Sequence, residues 1–449
     1  MISGAEAIAL LQKELAGRVD SYDIFFAEGR GLAIEVKGGE VDALNVSGSS
    51  GIGLRVLRGG RLGFSFSTLL EGNTLKKVVA EALDGSSEVS KDDCLCFPAD
   101  GGGEGLPEDL DLYDFSIDSV GEKDKIAMAR TLEETAMGCD DRVRTIRKAA
   151  YRESRRMTRI VNSEGVDRAA EATFFSCSVM AVAEEKGDSQ MGWEVGSGHH
   201  RDDLDVVEVG TGAAKRAVSM LGAQSIRPER CSLLIENSVV CELLGVLGAS
   251  FSIENVEKGK SILGGKKGKR VAASSVTIVD DGRLPGGWGT SPFDGEGAMT
   301  GTTPLVTEGM CRAYLTDTYW SKRSGEQPTG NALRSTFRGL PRVGTTNLMM
   351  EGGKDTFNNL VSGMSRGFYI TDLLGVHTIN GVSGDFSLGA SGYWVEDGDL
   401  SFPVRGMAIS GNLMDLLIKI EAVGDDVRCR RSIGAPSIVV KDMEISGAA

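Results

Sequence analysis

Ile52-Gly53-Leu54-Arg55-Val56-Leu57 runs through Arg58-Gly59-Gly60 into Arg61-Leu62-Gly63-Phe64-Ser65-Phe66. Apolar residues alternate on both sides of a glycine turn, so the stretch reads as a β-hairpin. Upstream the period-two pattern continues through Ile24, Phe26, Leu32, Ile34, Val36, Val41, Leu44 and Val46, broken at Glu28-Gly29 and Gly38-Gly39 as in a meander. Before it, Ile8, Leu10, Leu11, Leu15 and Val19 share one stripe of a helix over 4–18, with Ser3 available as a cap. After the hairpin, Leu75, Val78, Val79 and Leu83 predict a helix over 72–86.

The same sequence of patterns then recurs. A polar, glycine-rich stretch over 88–116 contains Cys94-Leu95-Cys96 and Ala99-Asp100-Gly101-Gly102-Gly103. A helix is expected over 121–138. Strands follow over 142–198, through Ile146, Ala150, Ile160, Val161, Phe174, Val179 and Trp193, and then a helix over 203–221. Helix, strands, helix occurring twice suggests an internal duplication, although no residue-level repeat supports it. Gln224-Ser225-Ile226-Arg227-Pro228-Glu229 marks a boundary. Beyond it lie many Gly-Asp, Asp-Gly and Gly-Asn turns and expected helices at 237–248, 355–364 and 411–421. The expected fold is α+β. Residues 1–225 form an N-terminal α/β sandwich-like domain with a mixed or antiparallel sheet, and residues 226–449 a β-rich, barrel-like C-terminal domain.

Bulk properties narrow the function. The 449 residues carry 64 Asp and Glu against 49 Lys and Arg, a net charge of −15, which argues against a nucleic-acid surface. The local run Lys266, Lys267, Lys269 and Arg270 reads as a solvated loop. No apolar run approaches the ~20 residues needed to span a bilayer, so no membrane partner is expected. Eight scattered cysteines, and a start (Met1-Ile2-Ser3-Gly4-Ala5-Glu6) without a signal-peptide pattern, predict reduced thiols and a cytoplasmic location. Cys94 and Cys96 lack a second Cys or His pair to complete a zinc site and read as part of a surface loop. With 61 glycines and 6% aromatic residues, the chain suits many tight turns and closely packed strands.

Residues able to do chemistry are sparse. Cys241-Glu242-Leu243-Leu244-Gly245-Val246 lies in an apolar helix, and zinc peptidases place two ligands a turn apart on a helix beside a Glu that activates water. Cys241 and Glu242 match a first ligand and a base, but neither Gly245 nor Val246 can coordinate a metal. A core helix with an inert cysteine is the competing reading. Histidine occurs only at 199, 200 and 377. His199 and His200 point to opposite faces, which suits a helix cap or surface turn better than joint chelation, and His377 reads as an exposed strand position. No Gly-x-Ser-x-Gly elbow lies near a histidine, and no P-loop is present. Cys429, flanked by Arg428, Arg430 and Arg431, has cationic neighbours that could lower its pKa.

The C-terminal half carries an ordered ladder of short motifs. Ile278-Val279-Asp280-Asp281-Gly282 precedes Phe293-Asp294-Gly295-Glu296-Gly297, Leu305-Val306-Thr307-Glu308-Gly309 and Tyr314-Leu315-Thr316-Asp317. Thr329-Gly330-Asn331-Ala332, Thr346-Asn347, Gly367-Phe368-Tyr369-Ile370 and Gly384-Asp385-Phe386-Ser387 follow. Pro403-Val404-Arg405, Ser410-Gly411-Asn412-Leu413 and Ala435-Pro436-Ser437 close it. Over about 227–447 the series resembles the TldD/PmbA (TldE) family, the "modulator of DNA gyrase" type, and the N-terminal half fits more loosely through Gly51–Val56 and Gly60–Phe64.

The resemblance implies a metallopeptidase that degrades or processes unfolded peptides inside a closed cavity, the substrate lying as an added strand. In the family, a TldD-type subunit carries zinc on an H-E-x-x-x-H helix with a Cys near its C-terminus. Here those helix positions fall on Cys241, Glu242 and Val246, and Cys429 does not reproduce the cysteine segment. The chain therefore resembles the PmbA/TldE subunit, with no cofactor or metal of its own and zinc expected in a TldD-type partner. Asp294, Glu296, Gly330, Asn331, Asn347 and Asn412 match motifs shared by both subunit types, which makes them candidates for the peptide groove or the subunit interface. Two alternatives stay open: a stand-alone homodimeric peptide-binding or regulatory protein, and an autonomous hydrolase using Cys241 or Cys429.

Overall fold

Ser3 opens the first helix as the sequence requires. Its Oγ accepts from Glu6 N at 3.2 Å and its own N donates to Glu6 Oε2 at 2.8 Å, a reciprocal cap. This helix, α1 (Gly4–Leu15), buries Ala7, Ile8, Leu11 and Leu15. The computed structural model describes residues 2–100, 107 and 109–447, so Gly101, Gly102 and Gly103 of the glycine-rich stretch lie outside the described residues.

Three long strands follow: β1 (Ser21–Lys37), β2 (Glu40–Arg58) and β3 (Arg61–Ser67), with α2 (Gly72–Ser87) behind them. Next come α3 (Glu122–Gly138), β4 (Val143–Asn162), β5 (Asp167–Glu185), β6 (Asp188–Gly198) and α4 (Val206–Ser219). The order helix, three strands, helix thus occurs twice. All six strands form one antiparallel sheet, β3-β2-β1-β4-β5-β6, in which the two sets meet at β1 and β4. Ile24 and Phe26 face α1 and α2, whereas Phe25 and Ala27 face the other way and pack with Phe293 and Phe337 from the C-terminal half. Gly63 lets α2 lie directly on the sheet, since a Cβ there would overlap Ala82 O.

The helix expected over 203–221 is divided. A 3-10 turn at Arg201–Asp203 comes first, and Asp205 then caps α4 by accepting from Glu208 N at 2.8 Å.

The C-terminal half begins with β7 (Glu229–Ile235), α5 (Asn237–Gly248) and α6 (Ile253–Glu257). It continues with β8 (Ile278–Asp281), β9 (Thr302–Thr307), β10 (Met310–Cys311), α7 (Thr318–Ser324), β11 (Ala332–Leu333), β12 (Arg342–Val343), β13 (Leu348–Met350) and α8 (Phe357–Ser362). The last elements are β14 (Arg366–Leu374), β15 (Asp385–Glu396), β16 (Asp399–Asn412), α9 (Leu413–Ile418), β17 (Ile420–Val423), β18 (Arg428–Arg430), β19 (Ile433–Ala435) and β20 (Ile438–Gly447). Strands β16-β15-β14-β7-β20 are hydrogen-bonded in that order, and β20 also pairs with β16, so five strands close into a barrel. A second sheet runs β10-β9-β8-β13-β19-β18. Helix α5 packs against β14 of the barrel and β18 and β19 of this sheet, burying Val239, Val240, Leu243, Leu244 and Leu247 in the main core.

His377 departs from its expected strand position and lies, exposed, in a 3-10 turn at Val376–Thr378. Gly375, in the left-handed region at φ 87°, ends β14 just before it. Among the described residues no helix is long and apolar enough to cross a membrane.

Candidate functional site

Helix α5 carries Cys241, Glu242 and Val246, and the helical period sends them in different directions. Cys241 is buried, and its Sγ donates to Arg428 O at 3.4 Å and to Ile433 O at 3.5 Å. Burial pushes this thiol up to about 11. Val246 is half-buried against the main core and offers no donor atom. Zinc requires deprotonated sulfur, imidazole or carboxylate ligands converging on one point. Among the described residues no group of three His, Cys, Asp or Glu side chains is arranged to hold a metal ion. The residues at the zinc-helix positions do not fit that ion.

Glu242 faces a cleft of about 740 Å³ between the N-terminal sheet and the barrel. Strand β6 and helix α4 form one wall, with β14, β15 and β18 opposite. A chain of charged groups joins the walls. Arg216 of α4 donates to both carboxylate oxygens of Glu236, at 3.0 and 2.9 Å, and to Glu194 of β6 at 3.2 Å. Glu194 also pairs with Arg428 at 3.1 Å and with Arg430 at 3.6 Å. Burial opposes the charge of Glu194, but these three arginines and the Val195 amide hold its carboxyl below the usual range. Arg430 lies over the ring of Trp193, 5.4 Å from its centroid.

Glu242 and Asp372 make no side-chain hydrogen bonds among the described residues. Burial raises the Glu242 carboxyl, and the nearby Asp372 carboxylate raises it further against the opposing Arg430. Burial likewise raises Asp372. The cleft therefore presents two carboxyls close to an arginine, beside the aromatic side chains of Trp193, Tyr369 and Tyr393. Such a surface can hold cationic or hydrogen-bonding parts of an extended ligand and can exchange protons.

Cys429 differs from its expected chemistry. Its sulfur sits against the backbone at Gly434, and burial raises its pKa in spite of the flanking arginines, of which Arg428 and Arg430 are turned to Glu194. The histidine pair also differs. His200 occupies the cap position of the 3-10 turn and pairs with Asp111 at 2.8 Å, but His199 is fully buried instead of lying in a surface turn. Its Nδ1 meets Thr173 O at 2.6 Å and its Nε2 meets Gly287 O at 3.0 Å, so the ring joins the N-terminal sheet to a C-terminal loop.

The motif residues of the C-terminal half cluster away from Glu242. Asp294 accepts from the amides of Glu296 at 2.9 Å, Ala298 at 3.0 Å and Ala332 at 3.0 Å. Burial and the neighbouring Glu296 nevertheless push it up to about 7. Glu296 accepts from Arg55 Nη1 at 2.9 Å and from Thr318 N at 3.0 Å. Asn331 donates to Asp280 at 2.7 Å and to Gly344 O at 3.1 Å, beside Gly330 at φ 69°. Asn347 ties the end of β8 to the following loop, donating to Asp281 O at 2.7 Å and Thr290 Oγ1 at 2.8 Å while accepting from Gly289 N at 2.8 Å. Asn412 stands apart, capping α9 through Met414 N at 3.0 Å and donating to Asp385 at 2.9 Å. Of the six, Glu296 alone lines a large cleft, and that cleft is a different one.

Sequence reading missed Glu194, Arg216, Glu236, Asp372 and Arg430. They come together from four separate elements and the junction between β7 and α5, and only the Arg428–Arg431 cluster signalled one of them.

The fold and the placement of α5 define, in architecture, a protein of the PmbA/TldA metallopeptidase class. Family models for PmbA/TldA metallopeptidase domains match in chain order: domain 1 over 22–86, the central domain over 115–221 and the C-terminal domain over 228–447. The chain belongs to the TldD/PmbA family. It is 27% identical to Metalloprotease PmbA of Escherichia coli O157:H7 over 451 residues, covering 98% of this chain and 96% of that protein. A crystal structure from Thermotoga maritima, described as a proposed modulator of a DNA gyrase, superposes with a TM-score of 0.91 at 29% identity, covering 99% of this chain and 100% of that one. TldE from Thermococcus kodakarensis shares the fold, with a TM-score of 0.88 at 20% identity over 99% of each chain.

Proposed function

We propose that this chain is the PmbA/TldE-type, non-metal subunit of a two-subunit TldD/TldE-type metallopeptidase that processes unfolded peptides in a closed cavity. The observation that carries the reading is the state of α5. Its Glu242 is presented to a large cleft, yet the flanking ligand positions hold a buried thiol bonded to carbonyls and a valine. In this reading zinc, held by a TldD-type partner, supplies the activated water. This chain contributes a cavity wall, stiffened by the Glu194–Arg216–Glu236 ion pairs, on which peptide lies. The names carried by the relatives support peptidase chemistry for the assembly. All eight cysteines are free, which supports a cytoplasmic site of action.

The test is metal analysis and peptide cleavage by the purified chain, alone and mixed with a TldD-type subunit. Substoichiometric zinc, no cleavage alone and cleavage after mixing are expected. Cleavage by the chain alone, abolished by Glu242→Ala, overturns the proposal. A stable homodimer that captures unfolded peptides and ignores the TldD-type subunit would instead establish the stand-alone peptide-binding reading.

A further inference from the structure

A second cleft, of about 750 Å³, opens between the N-terminal hairpin and the loops around α7, and it shares no lining residue with the Glu242 cleft. Its walls are apolar, formed by Leu57, Leu62 and Phe97 on one side and by Trp320, Leu333 and Leu340 on the other. Its floor is charged. Arg55 is fully engaged there, donating through Nε and Nη2 to Asp23 and through Nη1 to Glu296. Arg334 adds a second cation to Asp23 at 2.8 Å. These pairings leave Asp317 over: among the described residues it forms no ion pair, whereas Arg55 is taken up by Glu296 and by Asp23, which pairs with Arg334 and does not itself line the cleft. Asp317 is 6% exposed; its Oδ1 accepts from Trp320 N at 2.7 Å, and its Oδ2 has no partner among the described residues.

A largely buried carboxylate with no ion-pair partner among the described residues is costly. Burial, reinforced by Glu296 and Glu254, pushes Asp317 up to about 7 against the pull of Arg55. Glu254 at the edge of the cleft adds negative charge, although Lys258 pairs with it at 2.6 Å. Arg342, the other cation of the lining, is exposed at the mouth, and Cys96 and Tyr319 complete the titratable groups of the wall.

We propose that this second cleft is a binding site for a primary ammonium group carried on an apolar stem. The ammonium would pair with the free oxygen of Asp317 and the stem would lie along the leucines and Trp320. A guanidinium fits less well, because its fork needs both carboxylate oxygens and one already caps α7. Two sources share this chemistry: a lysine side chain of an unfolded peptide, or a free alkylamine. The inference does not depend on the peptidase reading.

Calorimetric titration of the full chain tests it, with n-hexylamine and the blocked peptide acetyl-Gly-Lys-Gly-amide as probes and 1-hexanol as the neutral control. At least one amine should bind at pH 8 about tenfold or more tighter than 1-hexanol, and Asp317→Asn should remove that advantage. In the unsubstituted chain the affinity should fall about tenfold from pH 8 to pH 6 as Asp317 takes up a proton. Binding of the peptide alone assigns a lysine side chain, and binding of hexylamine alone assigns a free amine; binding of both establishes the shared ammonium chemistry. Binding of neither overturns the proposal, as does equal binding of hexanol or a pH-independent affinity. The last two comparisons need no substituted chain, so they decide the question even if Asp317→Asn fails to fold.

Discussion

Arg334 Nη1 donates to Asp23 Oδ1 at 2.8 Å with neither side chain exposed to solvent, which locks a C-terminal loop onto the first strand of the N-terminal sheet. Asp23 also receives two hydrogen bonds from Arg55, whose remaining Nη1 returns to Glu296 in the C-terminal half. Two buried arginines and two buried carboxylates thus alternate across the boundary between the halves. Burial disfavours the charge on Asp23, yet Arg55 and Arg334 hold its carboxyl below the usual range.

Removing one member should strand its partner. Arg334→Met is expected to destabilise the chain by roughly 3–5 kcal/mol in urea unfolding, because Asp23 keeps its charge and loses a partner. Asp23→Asn should cost a similar amount, and the double variant less than the sum of the two. Additive losses would show that the pair does not act as a unit.

Asp317 makes stability depend on pH in the direction opposite to Asp23. Burial raises its carboxyl from 3.8 to about 7 in the folded chain, so the native state holds a proton that the unfolded state has lost. Its contribution to stability therefore declines as pH rises from about 4 to 7 and levels off above that. Asp317→Asn retains a cap acceptor for α7 and should flatten this decline, gaining on the order of 1–3 kcal/mol relative to the parent at pH 8 over pH 5. Thermal unfolding at the two pH values measures the difference.

The thiols of Cys241 and Cys429 should separate in an alkylation experiment. Cys241 is 2% exposed and raised to about 11, so it should stay unlabelled by iodoacetamide at pH 8 in the native chain. Cys429 is exposed as a residue but also has a raised pKa, and it should label slowly, at less than the rate of an unfolded-chain cysteine. Peptide mapping by mass spectrometry resolves both sites. Rapid labelling of Cys241 would show that α5 opens away from β18 and β19.

Gly392 sits where β15 passes Tyr369 of β14, and a Cβ there would overlap Tyr369 O. Gly392→Ala should therefore disturb the barrel ladder and cost more than about 3 kcal/mol, or prevent soluble expression. A Gly→Ala change at Gly447, where nothing lies within 4 Å of the added carbon, should be close to neutral.

Local pattern made much of this architecture legible. Most helices of the N-terminal half, the glycine hairpin and the apolar helix at 237–248 follow from periodicity, and α1 also from its cap, both of which act over a few residues. The ordered motifs also pointed to the family. Less could be read where chemistry depends on convergence. His199 looked like half of a turn because its two carbonyl partners lie 26 and 88 residues away in the chain. Cys429 looked activated because its arginines are adjacent in sequence, whereas tertiary contacts turn Arg428 and Arg430 toward Glu194.

The zinc-helix positions mark the division most clearly. Sequence alone determined that Val246 offers no ligand and that histidine is too scarce to replace it, because donor chemistry belongs to the residue type. Only the tertiary structure decided that Cys241 turns inward to backbone carbonyls while Glu242 opens on a cleft. It also decided that Asp317, without an ion-pair partner among the described residues, underlies a second cleft, because burial and charge balance arise only when distant strands and loops pack together.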